Sequence, residues 1–165
     1  MSAQQAGEQP RIRPYRETDA ATTLEIFLQA VTVTAAQHYS AAQIAAWARP
    51  EERSLDEWDQ AMQRRNSFVA VLGSRVAGFS DLADDGYIDM LFVSPEQGGR
   101  GVATHLLCFV ESQARAAGMP ELSASVSLTA QPVFERQGFS VVGVQRPVIA
   151  GVELSNARMV KALLP

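Results

Sequence analysis

The residues best placed to do chemistry form the run Gly98-Gly-Arg-Gly101-Val-Ala-Thr104. It follows an apolar segment, Ile88-Asp-Met-Leu-Phe-Val93, and leads into a helical apolar pattern. A strand that ends in a glycine-rich turn and opens a helix aims backbone N–H groups at one point. The first N–H groups of a helix have no partner inside it, and the aligned peptide dipoles place roughly half a positive charge there. Gly98, Gly99 and Gly101 remove side chains that would hold a ligand away from the backbone. Arg100 adds a mobile cation at the rim. Such a turn binds phosphate or pyrophosphate.

Two sharper phosphate motifs fit less well. A dinucleotide loop needs a third glycine where Thr104 stands. It also needs an acidic residue ending the next strand, whereas Glu121 precedes that strand. A P-loop needs Gly-Lys-Ser/Thr, which does not follow. A plain surface turn is the remaining alternative, so the flanking elements carry the argument.

Arg11 to Tyr15 reads as a short edge strand, since Pro14 cannot donate to a central ladder. Thr18 or Asp19 caps a helix with Leu24, Phe27, Leu28 and Val31 on one face. Ser40 and Gln43 have capping-box spacing, with Tyr39 and Ile44 as a hydrophobic staple, so a second helix runs through Trp47 and stops near Pro50. Ser54 and Glu57 repeat the spacing before a third helix lined by Leu55, Trp58 and Met62. Phe68 to Leu72, Arg75 to Ala83 and Tyr87 to Val93 read as antiparallel strands, turned at Gly73-Ser74 and Asp85-Gly86. After the loop, Ala103, Leu106, Leu107, Val110, Ala114 and Ala117 stripe a helix that Gly118 and Pro120 stop. Leu122 to Val126 is a buried strand, parallel to 87–93 because a helix links the two. Ser127 or Thr129 opens a further helix ended by Gly138, with Phe139 folding back on Phe134. Val141 to Ile149 and Val152 to Val160 close the chain as a hairpin around Ala150-Gly151. The expected fold class is α+β: a mixed, mostly antiparallel sheet with a central parallel strand pair, flanked by helices.

At 165 residues, one domain spanning 1–165 is expected, with 1–10 as a flexible tail. A net charge of −4 argues against a nucleic-acid surface. The sole cysteine, Cys108, excludes an internal disulfide and reads as a packing residue on its helix. Trp47 and Trp58 read as core. Residues 1–10 lack the apolar segment of a secretory signal, and no apolar run reaches membrane-spanning length. A cytoplasmic protein that does not engage a membrane is expected.

The loop resembles the acyl-CoA-binding motif of the GNAT N-acetyltransferase superfamily, Gln/Arg-x-x-Gly-x-Gly/Ala. Gly101 and Ala103 fit it, while Gly98 stands where Gln or Arg is usual. The run Ser127-Leu-Thr-Ala130-Gln-Pro-Val-Phe134-Glu-Arg-Gln-Gly138-Phe139 is similar to a second family signature, Asn-x-x-Ala-x-x-x-Tyr-Glu-x-x-Gly-Phe. Ser127 replaces its Asn, which commonly touches the cofactor, and Phe134 replaces its Tyr, which commonly serves as general acid.

The resemblance implies an N-acetyltransferase using acetyl-CoA as donor and no metal. The amine of a small molecule, amino acid or peptide would attack the thioester directly. Pyrophosphate would lie on Gly98, Gly99, Arg100, Gly101, Val102, Ala103 and Thr104. The pantetheine arm would pair with the backbone of Leu91, Phe92 and Val93, and Ser127 and Phe134 would sit beside the cofactor. Asp89 is the first candidate for general base, sharing a strand face with Tyr87 and Leu91; Tyr39 and then His38 follow. A salt-bridged strand residue is the structural alternative for Asp89. A monomer or homodimer is expected. The competing function is an acyl-CoA-binding sensor or interaction module with little catalysis, motivated by Phe134 and Ser127.

Gly101→Glu is expected to weaken CoA binding severely, since it adds bulk and negative charge at the anion site. Calorimetry on the folded variant checks this; unchanged affinity overturns the loop assignment.

Overall fold

A computed structural model describes residues 8–164. The expected tail lies outside the described residues up to position 7, and Pro10 is already buried at the start of the first strand. In chain order the elements are β1 (Arg11–Pro14), α1 (Ala20–Gln29), α2 (Ala41–Ala48), α3 (Leu55–Arg64), β2 (Ser67–Leu72), β3 (Arg75–Asp81), β4 (Tyr87–Ile88) and β5 (Leu91–Val93). There follow α4 (Val102–Ala116), β6 (Glu121–Ser127), α5 (Gln131–Arg136), β7 (Ser140–Gln145), β8 (Val148–Ile149), β9 (Val152–Glu153) and β10 (Asn156–Ala162).

The helices start where their caps dictate. Ser40 Oγ accepts from Gln43 N while Gln43 Oε1 accepts from Ser40 N, the reciprocal box at α2. Ser54 caps α3 by accepting from Glu57 N. Leu55 is exposed, so only Trp58 and Met62 of the expected α3 stripe are buried. Asp19 is occupied before α1 begins: it takes both Arg13 nitrogens and Arg16 N–H. Past Gln29 the first helix widens into a π-helical turn, Ala30–Thr34, which periodicity alone did not indicate. Gly138 at φ 90° ends α5, and Phe139 folds back so that its ring stacks edge-on to Phe134 at 5.0 Å.

Two four-stranded sheets, β1-β2-β3-β5 and β4-β6-β10-β7, share the centre of the molecule. The expected continuous strand 87–93 does not exist. Tyr87 and Ile88 pair in parallel with Ser123 and Ala124 of β6, whereas Leu91, Phe92 and Val93 pair antiparallel with Ser80, Phe79 and Gly78 of β3. Asp89 and Met90 form the break. The Asp81 carboxylate receives their N–H groups at 2.7 and 3.4 Å, and Ser80 Oγ donates to Met90 C=O at 2.7 Å. The backbone groups freed by the break thus find side-chain partners. Turn geometry fixes the start of β4: Gly86 stands at φ 87°, and a Cβ there would lie 2.2 Å from Glu121 C=O.

Leu106, Leu107, Val110 and Ala114 bury one face of α4 against both sheets. Cys108 lies off that stripe and is exposed, correcting its reading as a packing residue. The C-terminal hairpin is also interrupted: β7 pairs with β10, and a separate small ladder, β8–β9, turns at Ala150 (φ 49°) and Gly151 (φ 79°). Edge strand β7 leaves Val141, Val142 and Val144 exposed. Among the described residues no helix is long and apolar enough to cross a membrane.

Asp81 is 2% exposed, and burial pushes its carboxyl up to about 6 against the opposing pull of the Asp89 N–H and Arg65. The native state therefore holds a proton that the unfolded chain releases near its ordinary value of 3.8. Stability from this group is highest below about pH 4 and falls by about 2–3 kcal/mol as pH rises through about 6. Asp81→Asn should flatten that slope, read as the difference in urea midpoints between the two proteins across pH 4–7.

Candidate active site

The split of the central strand opens a gap between β5 and β6. One edge of β5 has β3 beside it; the other has no strand among the described residues. Two adjoining cavities occupy this region. The larger, of about 490 Å³, is walled by Phe27, Tyr39, Trp47, Asp89, Phe134, Pro147, Ile149 and the run Leu154 to Asn156, among others. The smaller, of about 160 Å³, runs past Leu91, Phe92, Val93, Ala103 and Ser127, with Ala30, Thr34 and Ala35 of the widened helical turn opposite. Trp47, Leu91, Phe92, Ser127 and Ala130 line both.

The glycine loop lies at the N-terminus of α4. Gly99 and Gly101 stand at φ 77° and 74°, a conformation that side chains rarely adopt. A Cβ at Gly99 would touch nothing, so backbone conformation rather than room is what this glycine supplies. Gly98 has ordinary extended geometry, so no conformational demand fixes its identity. Among the described residues, the N–H groups from Gly99 to Thr104 have no hydrogen-bond partner within the chain. They are free for an anion. A donor with a pyrophosphate and an amide-containing arm fits this layout: charge at the loop, backbone at the β5 edge, and a narrow channel between them.

Asp89 lines the larger cavity, where it is the sole carboxylate among the described residues. It does not alternate in a continuous strand with Tyr87 and Leu91, because it belongs to the break. Its Oδ2 pairs with Arg65 Nη1 at 2.9 Å, and Arg65 Nε stands 3.4 Å from Asp81 Oδ2. Arg65 also meets the sulfur atoms of Met62 and Met90. One arginine therefore ties the end of α3 to the strand break.

The Tyr39 hydroxyl donates to Ser155 C=O at 2.6 Å and accepts from Leu128 N–H at 3.0 Å. Burial raises its pKa, so it is a phenol at neutral pH. His38 is exposed, 2.9 Å from Thr129 Oγ1, and lines neither cavity. Phe134 is buried and reaches the larger cavity; Ser127 Oγ accepts from Ala130 N–H, closing the turn before α5.

Several site residues escaped sequence reasoning. Trp47 is a cavity wall rather than core: it is half-buried and packs against Tyr39 and Phe92. Trp58 is core, its Nε1 donating to Thr23. Arg49, Arg53, Pro147, Ile149 and Leu154 to Asn156 also line the larger cavity. Arg49 was legible in one respect, since it stands between a helix and Pro50, where glycine is usual. No group of three or more His, Cys, Asp or Glu side chains among the described residues could hold a metal ion.

Comparison with known proteins agrees with this arrangement. A family profile described as an acetyltransferase (GNAT) domain matches residues 35–161. The uncharacterized N-acetyltransferase YafP of Escherichia coli K12 is 39% identical over 150 residues, covering 90% of this chain and 93% of that protein. A GCN5-related N-acetyltransferase from Rhodopseudomonas palustris superposes with a TM-score of 0.89 at 31% identity, covering 95% and 98% of the two chains. The PaiA N-acetyltransferase of Thermoplasma acidophilum, solved with coenzyme A, shares the fold at a TM-score of 0.75 and 22% identity, covering 93% and 99%.

Tyr39→Phe leaves Leu128 N–H and Ser155 C=O without their shared partner. It is expected to cost about 1–3 kcal/mol in urea unfolding; an unchanged midpoint would show that the bridge contributes nothing.

Proposed function

Because the chain belongs to the GNAT acetyltransferase family, we propose that it transfers an acetyl group from acetyl-CoA to a primary amine of a small molecule, amino acid or peptide. The observation that carries this reading is the junction of the two cavities at Trp47, Leu91, Phe92, Ser127 and Ala130. A donor arm in the smaller cavity and an amine in the larger would meet there, which supports direct attack of the amine on the thioester. Cys108 lines neither cavity, so it offers no covalent relay.

Acetyl-CoA supplies the activated acetyl group. The run Gly98 to Thr104 holds its pyrophosphate through the free N–H groups of Gly99 to Thr104, with the Arg100 side chain beside them, while the Gly98 N–H stays on Pro95 C=O. The open edge of β5 at Leu91, Phe92 and Val93 orients the pantetheine amides. Ser127 and Phe134 shape the end of the channel, and Phe134 excludes water without offering a proton.

The acceptor must arrive neutral. An alkylamine with a pKa near roughly 10.4 is neutral in fewer than about one molecule per thousand at pH 7, so a proton acceptor accelerates attack. Asp89 is the carboxylate available in the cavity, directly or through one water. The departing thiol, with a pKa near roughly 8.5, leaves as thiolate without a dedicated acid. Tyr39 is a phenol that can return a proton, once its hydroxyl turns from Ser155.

A second reading, an acyl-CoA binder with little catalysis, draws on Phe134 and on the Arg65 pairing of Asp89. Acetyl-CoA turnover across a panel of amines separates the two: CoA release matched to acceptor loss supports the enzyme, and tight binding without turnover supports the binder.

Asp89→Asn keeps the size of the side chain but removes the carboxylate. At neutral pH the rate constant should fall by roughly 10²–10⁴-fold, with CoA affinity little changed. The deficit should shrink as pH rises towards the amine pKa, where the acceptor no longer needs a base. A pH–rate profile checks it; an unchanged rate at pH 7 assigns Asp89 to structure alone.

A further inference from the structure

The larger cavity holds an excess of positive charge. Among the described residues, Arg49 and Arg53 line it together with the single carboxylate Asp89, and Asp89 is already paired with Arg65. The two guanidinium groups are held differently. Arg53 is fixed: Nε donates to Ala48 C=O at 3.0 Å, Nη2 donates to Trp47 C=O at 2.8 Å, and the guanidinium carbon lies 4.7 Å from the centre of the Phe27 ring. Burial, and next the charge of Arg49, lower its pKa, as expected for two cations facing one space.

Arg49 is incompletely satisfied. Its Nη1 reaches Glu52 Oε2 at 3.3 Å, on an exposed side chain where such a pair is worth little. Its Nε is buried and has no hydrogen-bond partner among the described residues. A buried donor to which nothing is bonded is uncommon. The backbone adds a second observation. Arg49 stands at φ 39°, ψ 58°, in the left-handed region that closes α2, where glycine is the favoured residue. Only Ala150 shares this positive φ among described non-glycine residues. A long cationic side chain is thus kept at a strained position that points it to the cavity.

The same cavity has a complementary polar atom. Asn156 Oδ1 is buried and without a partner among the described residues. It can accept an N–H from a bound molecule. The cavity therefore offers donors to an anion and, separately, acceptors to an amine.

We infer that the acceptor amine also carries a carboxylate, which is bound by the guanidinium groups of Arg49 and Arg53. This rests on the acetyltransferase reading for the amine, but the anion subsite stands on its own geometry. A carboxylate would give Arg49 Nε the acceptor it lacks, and a planar guanidinium matches carboxylate geometry better than an ammonium does. The acceptor is then a free amino acid or a close relative of one, rather than a simple alkylamine.

The test compares the twenty standard L-amino acids with their carboxamides, in the wild type and in Arg49→Gly. Glycine suits the backbone at this position and keeps the N–H that donates to Ala45 C=O, so the variant should be at least as stable in urea as the parent. In the wild type, one or more acids should react with higher kcat/KM than the matching amide. That acid-over-amide preference should fall by roughly 10–100-fold in Arg49→Gly, mainly through KM, because a charged hydrogen bond made in ground and transition states alike is removed. Arg49→Lys should recover only part of it. Calorimetric titration of the same acids and amides into the CoA complex reads the subsite without turnover. Acids that bind without reacting would sink the enzymatic reading and leave the anion subsite supported. Amides binding and reacting as well as acids, an unaltered preference in Arg49→Gly, or no acid binding at all would each overturn the inference.

Discussion

The buried carboxylate of Asp81 is the constraint on which the rest of the structure depends. A strand from Tyr87 to Val93 could in principle pair with β6 along its full length. Asp81 prevents this by taking the N–H groups of Asp89 and Met90, and Ser80 completes the exchange by donating to Met90 C=O. The chain then leaves β6 after Ile88 and joins β3 at Leu91. A channel exists because these two pairings diverge. Arg65 fixes the geometry from outside by contacting Asp81, Asp89 and Met90 with one guanidinium.

Aromatic packing turns that divergence into a chamber. Phe92, at the open edge, meets Phe27 edge-on at 5.0 Å, Phe79 at 5.7 Å and Trp47 at 6.2 Å. Its neighbours come from α1, α2 and β3, so one side chain joins the helical layer to the sheet. Tyr39 makes the equivalent connection on the far wall, joining the turn before α2 to Leu128 and Ser155. Gln43 reinforces it by donating to Glu153 C=O in β9. The hairpin end, 147–156, is therefore held against α2 by these polar contacts together with an apolar cluster in which Leu154, Ile149 and Val152 meet Tyr39, Ile44 and Trp47.

This distribution explains what the sequence disclosed. Local features were legible because their causes are local: the reciprocal Ser40–Gln43 cap, the Gly99–Gly101 turn, and Phe139 folding back on Phe134 across Gly138. The broken strand was not, because Tyr87, Asp89 and Leu91 continue the two-residue alternation, and the residue that interrupts it lies on another strand. Trp47 and the two arginines were missed for a similar reason. They surround a cavity that exists only after the hairpin end and α2 meet, and composition carries no mark of that meeting. Cys108 shows the limit of a helical stripe, since Leu107 beside it is buried while Cys108 faces solvent.

The close approach at Gly86 has a consequence for how such a chamber can vary. A single added carbon there would collide with Glu121 C=O, which holds β4 and β6 in register beside the break. The frame that opens the gap is consequently intolerant of the smallest side chain. The segment 147–156, by contrast, is half-buried or exposed at every residue but Leu154, at a hairpin end where changes of length and side chain are absorbed. Rigidity and adaptability are therefore divided between the seam that frames the cavity and the hairpin end that helps to line it. A chain built this way can alter what it admits without disturbing the seam that keeps the chamber open.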